Sequence, residues 1–243
     1  MNSSLSKLAE LIFFPSFCQI CSSLLESNQE KVVCQKCFNK LFSNSLPSYC
    51  LYCGRFFDSS IEPHLCSECL NNYPPYSLHR SCGIYEGNLR NVILLFKYRQ
   101  YKILGKRLAH FAEYVLRDDE KLWWDTDIIL PVPLHPKRER QRGFNQAQVI
   151  AKELSKRIEI EFLDGCLIKK KNNPPQTYLQ AENRRKNVQG VFQVSGKEKL
   201  KGRTVLLVDD VFTTGSTIHE GSRVLLESGA TEVKALTLAQ AFP

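Results

Sequence analysis

The sequence contains no apolar run approaching the ~18–20 residues that a membrane-spanning helix needs. Nor is a secretory signal expected: near the N-terminus only Leu11-Ile12-Phe13-Phe14 is continuously apolar, and no small-residue cleavage site follows. Leu5, Leu8 and Ile12 fall at helical spacing, which predicts a short amphipathic N-terminal helix, and the chain is expected to be cytoplasmic. No G-x-x-x-x-G-K-[ST] loop occurs, which sets P-loop NTPases aside. The first third also lacks net charge. Residues 1–80 hold six Lys/Arg (Lys7, Lys31, Lys36, Lys40, Arg55, Arg80) against six acids (Glu10, Glu26, Glu30, Asp58, Glu62, Glu68). The whole formal +8 therefore lies in 81–243, a placement suited to an anionic partner such as nucleic acid or a polyphosphate.

Cysteine is plentiful. Eight of the ten form Cys-x-x-Cys pairs: Cys18/Cys21, Cys34/Cys37, Cys50/Cys53 and Cys66/Cys69. The gaps between successive pairs are equal, so spacing alone does not assign partners. The flanks say more. Pro15-Ser-Phe-Cys18-Gln-Ile-Cys21 parallels Pro47-Ser-Tyr-Cys50-Leu-Tyr-Cys53, and Cys37-Phe-Asn parallels Cys69-Leu-Asn, a repeat at 32 residues that predicts a duplicated two-knuckle unit. Four thiolates per unit are the complement of a tetrahedral structural zinc site, so two zinc ions are expected; a cross-braced pairing of alternate knuckles uses the same ligands. Disulfides are disfavoured in a chain without a secretory signal, and a redox dithiol would be one Cys-x-x-Cys beside a βαβ pattern. Gly54 suits the open backbone of a knuckle, and Ser22 holds its place in the first copy. His64 is surplus to the ligand set and reads as an exposed loop residue. Cys82 and Cys166 read as small buried hydrophobes.

Asn71-Asn-Tyr-Pro-Pro75 reads as a linker turn, giving expected domains at 1–78 and 79–243. Beyond it, strand patterns at 81–85, 127–132, 191–194, 203–208 and 233–239 alternate with helix patterns at 88–97, 102–117, 144–157, 178–187 and 216–228. This order predicts an α/β fold, a parallel sheet with helices on both faces and ligands beyond the carboxyl ends of its strands. The apolar run Thr204–Val208 leads into Asp209-Asp210 and then Thr213-Thr-Gly-Ser-Thr217, which opens a helix ending before Gly229. Thr213, Thr214, Ser216 and Thr217 supply four hydroxyls at a helix N-terminus, Gly215 lets backbone approach, and the dipole favours an anion. An ordinary Ser/Thr helix cap is the simpler explanation of the hydroxyls alone. Carboxylates and a phosphate site repel each other unless the ligand is a sugar phosphate, whose hydroxyls donate to the acids.

This stretch resembles the phosphoribosyl pyrophosphate (PRPP) signature of type I phosphoribosyltransferases: apolar strand, two acids, T-T-G-x-T. That resemblance gives Asp209 and Asp210 the ribose hydroxyls and gives Thr213, Thr214, Gly215, Ser216 and Thr217 the 5′-phosphate. A second segment, Pro131-Val-Pro-Leu-His-Pro-Lys-Arg-Glu-Arg-Gln-Arg-Gly-Phe-Asn-Gln146, packs four Lys/Arg into 137–142. With the cysteine pairs, the Phe96-Lys97-Tyr98 stretch and Gln176 through Val188, it resembles the ComF family of competence-associated proteins. The family joins a double zinc ribbon to a phosphoribosyltransferase domain, and its P-x-x-x-x-R-x-x-x-R-G-F-N-Q motif falls on Arg138, Arg142, Gly143, Phe144, Asn145 and Gln146.

The resemblance implies PRPP and Mg²⁺ as ligands, with Arg138, Arg142 and Lys97 gripping pyrophosphate. It also implies a part in DNA uptake, handling incoming single-stranded DNA beside a helicase-like translocase. Arg184-Arg-Lys186, Lys169-Lys-Lys171, Tyr178 and Phe192 are candidate strand contacts, although a run such as Lys169–Lys171 by itself reads as a solvated face. His135 reads as a turn residue, not a catalytic base. No segment reads as a purine or pyrimidine pocket; the ribbons and residues 166–190 are candidates for the hood over the site. Three readings follow: a DNA-handling protein that binds PRPP or a nucleotide 5′-phosphate, an active transferase to an unidentified acceptor, and a non-catalytic sensor.

Overall fold

The computed structural model of the chain describes residues 16–25, 32–43, 46–57, 62–171 and 190–241; the expected N-terminal helix, the expected helix 178–187 and Arg184–Lys186 lie outside them. The 32-residue repeat recurs bond for bond. In the first unit the Cys18 amide donates to the Ser23 carbonyl (2.8 Å) and the Ser22 amide to the Cys18 carbonyl (2.9 Å). Thirty-two residues on, Cys50 donates to Arg55 (2.9 Å) and Gly54 to Cys50 (2.9 Å). Both knuckles turn through a left-handed residue, Ser22 at φ 59° and Gly54 at φ 63°. Only the second position is closed to a side chain, because a Cβ on Gly54 would sit 2.3 Å from the His79 carbonyl oxygen. The remaining knuckles are single helical turns, α1 (Gln35–Asn39) and α2 (Ser67–Asn71), each capped by its own preceding cysteine, Cys34 or Cys66.

The rest of the chain alternates strands and helices. In order these are β1 (Leu78–Ser81), α3 (Gly87–Tyr98), α4 (Leu104–Leu116), α5 (Glu120–Trp123), β2 (Ile128–Pro131), α6 (Pro136–Arg142), α7 (Gln146–Ile158) and β3 (Glu161–Phe162). Then follow β4 (Leu167–Lys169), β5 (Phe192–Val194), β6 (Thr204–Phe212), α8 (Ser216–Glu227) and β7 (Glu232–Gln240). Five strands form a parallel sheet in the order β1-β7-β6-β2-β3, and β4 pairs antiparallel with β5. The first strand runs three residues ahead of the expected 81–85 and shares only Ser81 with it. Its centre is His79-Arg80-Ser81, all buried, and polar residues give hydropathy no signal. The basic run 137–142 is the helix α6, started by Pro136 and by the His135 ring, which accepts from the Lys137 amide.

Each face of the sheet has its own core, and each core includes one ribbon. On one face Leu206, Val208 and Leu236 pack with Ile93 and Phe96 of α3, Leu108 and Phe111 of α4, Leu154 of α7, and Cys18, Val33 and Phe38 of the first ribbon. On the other, Val205, Leu207 and Val233 pack with Ile218 and Leu225 of α8, with Leu167 and Phe192 of β4–β5, and with Cys50 and Cys69 of the second ribbon. Polar ties fix both ribbons. Arg107 donates to the Val33 carbonyl (2.6 Å) and Asn88 to the Cys37 carbonyl (2.8 Å). Arg80 pairs with Asp119 (2.5 Å), donates to the Leu51 carbonyl (3.1 Å) and lies over the Tyr49 ring. Among the described residues no helix is long and apolar enough to cross a membrane.

The two copies of the knuckle turn make opposite demands. Gly54→Ala combines a left-handed alanine with a backbone collision and is expected to cost about 2–4 kcal/mol, lowering Tm by roughly 5–10 °C. Ser22→Gly relieves the same strain and is expected to leave Tm unchanged or higher. Thermal melts of both variants check this; a Gly54→Ala protein melting with the wild type would contradict it.

Candidate functional site

The cysteine sulfurs gather into two clusters, Cys18/Cys21/Cys34/Cys37 and Cys50/Cys53/Cys66/Cys69, each with all sulfurs within 4.8 Å of one another. Neighbouring units of the repeat therefore keep their own ligands, and the cross-braced alternative is excluded. The fit to zinc is dimensional as well as chemical. A Zn–S bond of about 2.3 Å in a tetrahedron sets sulfurs about 3.8 Å apart. Cys21 and Cys34 Sγ are 3.7 Å apart, and Cys53 and Cys66 Sγ are 3.8 Å apart. Backbone amides of Cys34 and Cys66 donate to the sulfurs of Cys18 and Cys50, both at 3.4 Å, which favours thiolate ligands. His64 is exposed, stacked on Phe57 and outside the ligand set.

At the other end of the chain, β6 continues past its apolar run, so Asp209 and Asp210 belong to the strand. Successive strand residues point to opposite faces. Asp210 meets α3, where its Oδ1 lies 2.7 Å from Lys97 Nζ. Lys97 thus neutralises one of the two acids. Asp209 accepts from the Asp210 amide (2.8 Å). Burial, and then the charge of Asp210, push the Asp209 carboxyl up to about 7; Lys97 and Lys169 pull the other way. The strand then turns at Thr213–Gly215 into α8. Gly215 has φ 74°, and a Cβ there would lie 2.5 Å from the Phe212 ring. Thr214 Oγ1 and Ser216 Oγ are 2.8 Å apart at the helix start.

Cations from two further elements gather here, Lys169 of β4 near Asp209, and Arg138 and Arg142 of α6 near Lys169. Arg138 and Arg142 sit four residues apart on one side of α6. Burial and the neighbouring Arg142 both lower the pKa of Arg138. Arg142 lies over the Tyr98 ring (5.5 Å) and donates to Gln146 Oε1 (3.0 Å). Lys169 is the residue that its sequence context hid. Lys170 and Lys171 are exposed, as a solvated run should be, but Lys169 is half-buried on β4, with Nζ 5.4 Å from the centre of the Phe192 ring on β5. Its pKa is lowered by burial and by Arg138 and Arg142, and supported by Asp209. Only the β4–β5 pairing, which joins residues more than twenty apart, reveals it. Like charges brought this close repel, and a bound anion relieves that repulsion.

The segment Arg142-Gly-Phe-Asn-Gln146 shows how the local fold aims those arginines. Gly143 ends α6 in the left-handed region at φ 78°. Phe144 is buried against Phe96 (5.2 Å between ring centres). Asn145 caps α7 by accepting from the Ala147 amide (3.1 Å), while its Nδ2 donates to the Val132 carbonyl (2.9 Å). The hinge is thereby tied to the end of β2.

A parallel sheet with paired acids and a hydroxyl-rich turn at a strand end, joined to two four-cysteine clusters, defines a phosphoribosyltransferase-fold protein with a double zinc ribbon. Comparison with known proteins agrees: residues 100–241 match the phosphoribosyl transferase domain family and residues 10–70 the double zinc ribbon domain family. The chain belongs to the ComF family. It is 33% identical over 162 residues to Competence protein F of Haemophilus influenzae, covering 65% of this chain and 71% of that protein. It is 29% identical over 185 residues to Competence protein ComFC of Bacillus subtilis (68% and 74% covered). Similarity to the DNA utilization protein YhgH of Escherichia coli K12, 32% over 114 residues, spans 47% of this chain and 49% of that protein.

Elemental analysis of the purified chain is expected to give about two zinc per molecule, and a value near one would contradict the two-cluster geometry. The perturbed carboxyl yields a second expectation. Because its folded pKa is raised to about 7, the stability tied to Asp209 is present at low pH and lost as pH rises through 7. Asp209→Asn should therefore stabilise the protein by about 2–4 kcal/mol at pH 8 and by distinctly less at pH 5. Denaturant titrations at the two pH values measure this, and an equal or destabilising effect at both would refute it.

Proposed function

We propose that the protein binds PRPP or a nucleotide 5′-phosphate at the carboxyl end of β6. The observation that carries this reading is the convergence of Asp209 and Asp210, the Thr213–Thr217 turn, and Arg138, Arg142 and Lys169 around one strand end. Each part suits a different portion of the ligand. The turn supplies helix-terminal amides and hydroxyls to the 5′-phosphate. Ionised carboxylates accept from the ribose hydroxyls. The cations of α6 and β4 face the pyrophosphate, where planar guanidinium groups bind oxygens in pairs. Lys97 holds Asp210 in place until ribose hydroxyls approach. Mg²⁺, when bound with the pyrophosphate, would add charge neutralisation beside Asp209 and Asp210. If transfer occurs, the same cations stabilise the departing pyrophosphate.

A role in handling single-stranded DNA during uptake is the second part of the proposal. It is supported by the +8 confined to 81–243 and by relatives named for competence and DNA utilization. Phosphodiester strands and PRPP present similar anions, so the cationic cleft suits both.

PRPP with Mg²⁺ is expected to raise the Tm, and Asp209→Asn with Asp210→Asn to abolish the shift; an undiminished shift in the double variant would overturn the site. Lys169→Ala should weaken PRPP by roughly tenfold, about 1.4 kcal/mol, and a nucleoside monophosphate much less, because the lysine faces the pyrophosphate end. Oligonucleotide affinity should fall steeply with salt and weaken on Arg184, Arg185 and Lys186→Ala; insensitivity to both would remove DNA handling from the proposal.

A further inference from the structure

The second ribbon and the phosphate-binding turn come from opposite ends of the chain, yet one buried residue links them. His79 lies at the centre of β1 and is fully buried. Its Nδ1 is 2.7 Å from the carbonyl oxygen of Cys53, a ligand of the second cluster, and must donate to it. Its Nε2, 3.0 Å from Thr237 Oγ1 on β7, then accepts. Its amide donates to the Tyr52 carbonyl (2.8 Å). The imidazole face stacks on Phe212, with centres 4.1 Å apart and planes 18° apart. Phe212 in turn fills the space where Gly215 would carry a side chain, so the turn rests directly on this ring.

Two further contacts make the link stiff. Gly54, beside Cys53, closes on the His79 carbonyl so tightly that no Cβ fits. Gln240, paired with Phe212 in the β6–β7 register, donates to the Gly54 carbonyl (3.0 Å) and accepts from the Phe56 amide (2.9 Å). Beside the stack the packing is open. A cavity of about 470 Å³ separates the ribbon from α8, reaching Cys53, Cys69, Tyr73, Phe212, Gly215 and Ser216. On that side the turn borders this cavity, and Phe212 is what it leans on. Among the described residues the polar ties of the first cluster run instead to Asn88 on α3 and Arg107 on α4.

We infer that His79 and Phe212 are positioning residues through which the second zinc site, and not the first, sets the geometry of the phosphate-binding turn. The inference rests on the turn's reading as a phosphate site only for its effect on ligand affinity. An intact second ribbon holds the Cys53 carbonyl, the carbonyl fixes the imidazole, and the imidazole fixes Phe212 beneath Gly215. Disrupting that site frees the turn to sample conformations whose amides no longer converge on a phosphate.

The test uses the full chain, with hydrogen exchange over residues 212–219, zinc content, and affinity for PRPP and for inorganic phosphate. Cys69→Ser and Phe212→Leu are expected to speed exchange in this segment by at least about tenfold, whereas Cys37→Ser leaves it within about twofold of wild type. Affinity for both anions should fall in parallel in the first two variants and hold in the third. If Cys69→Ser does not fold, Phe212→Leu decides, since its zinc ligands are intact and it should retain both ions. Wild-type exchange in Phe212→Leu, or equal acceleration in Cys37→Ser and Cys69→Ser, overturns the inference. Wild-type protein that binds neither anion defeats the proposed function instead, and the exchange comparison still decides the coupling.

Discussion

Two adjacent carboxylates in a buried strand are the constraint on which much of this structure depends. Side chains alternate along a strand, so Asp209 and Asp210 face different neighbours, and desolvation penalises any charge that goes uncompensated. Lys97 reaches one from α3 at 2.7 Å, and Lys169 approaches the other from β4. Each lysine is delivered by a different layer of the fold. The helix on one face and the β4–β5 pair on the other therefore both have electrostatic reasons for their positions. Compensation is incomplete at Asp209, whose carboxyl remains raised to about 7. Such residual tension at a strand end is what a binding site retains for its ligand.

Much of the fold was legible because its signals are local. The apolar runs of β6 and β7, the helices flanked by Gly143 and Gly229, and the acid-to-hydroxyl succession of 209–217 are each contiguous. So is the 32-residue repeat, which held down to individual hydrogen bonds. What local sequence does not resolve is non-local. Lys169 looks identical to Lys170 and Lys171 until β5 pairs beside it. The polar centre of β1 looks like a loop until Thr237, Leu51 and Cys53 supply its partners. The choice between cluster pairings rested on three-dimensional proximity alone, since equal gaps in sequence carry no information about it.

The ribbons are integral to this fold in a specific sense. Their cysteines and apolar residues enter the cores on the two faces of the sheet, one ribbon to each. A small four-cysteine unit buries too little to be stable without metal, but here each borrows hydrophobic partners from the larger body. The exchange is mutual, since α3 and α4 on one face and Tyr76 on the other cover surfaces against the ribbons.

The position of β1 at the border of the sheet has one more consequence. A parallel sheet left open at its side offers unpaired backbone groups to any passing strand, and proteins guard such borders against self-association. The far border, β3, is only two residues long and offers little to pair with. At the near border the His79 amide is already taken by the Tyr52 carbonyl, and the Arg80 side chain spans to Leu51. The second ribbon thus acts as a selvedge, finishing the fabric of the sheet where it would otherwise fray into contacts with other molecules.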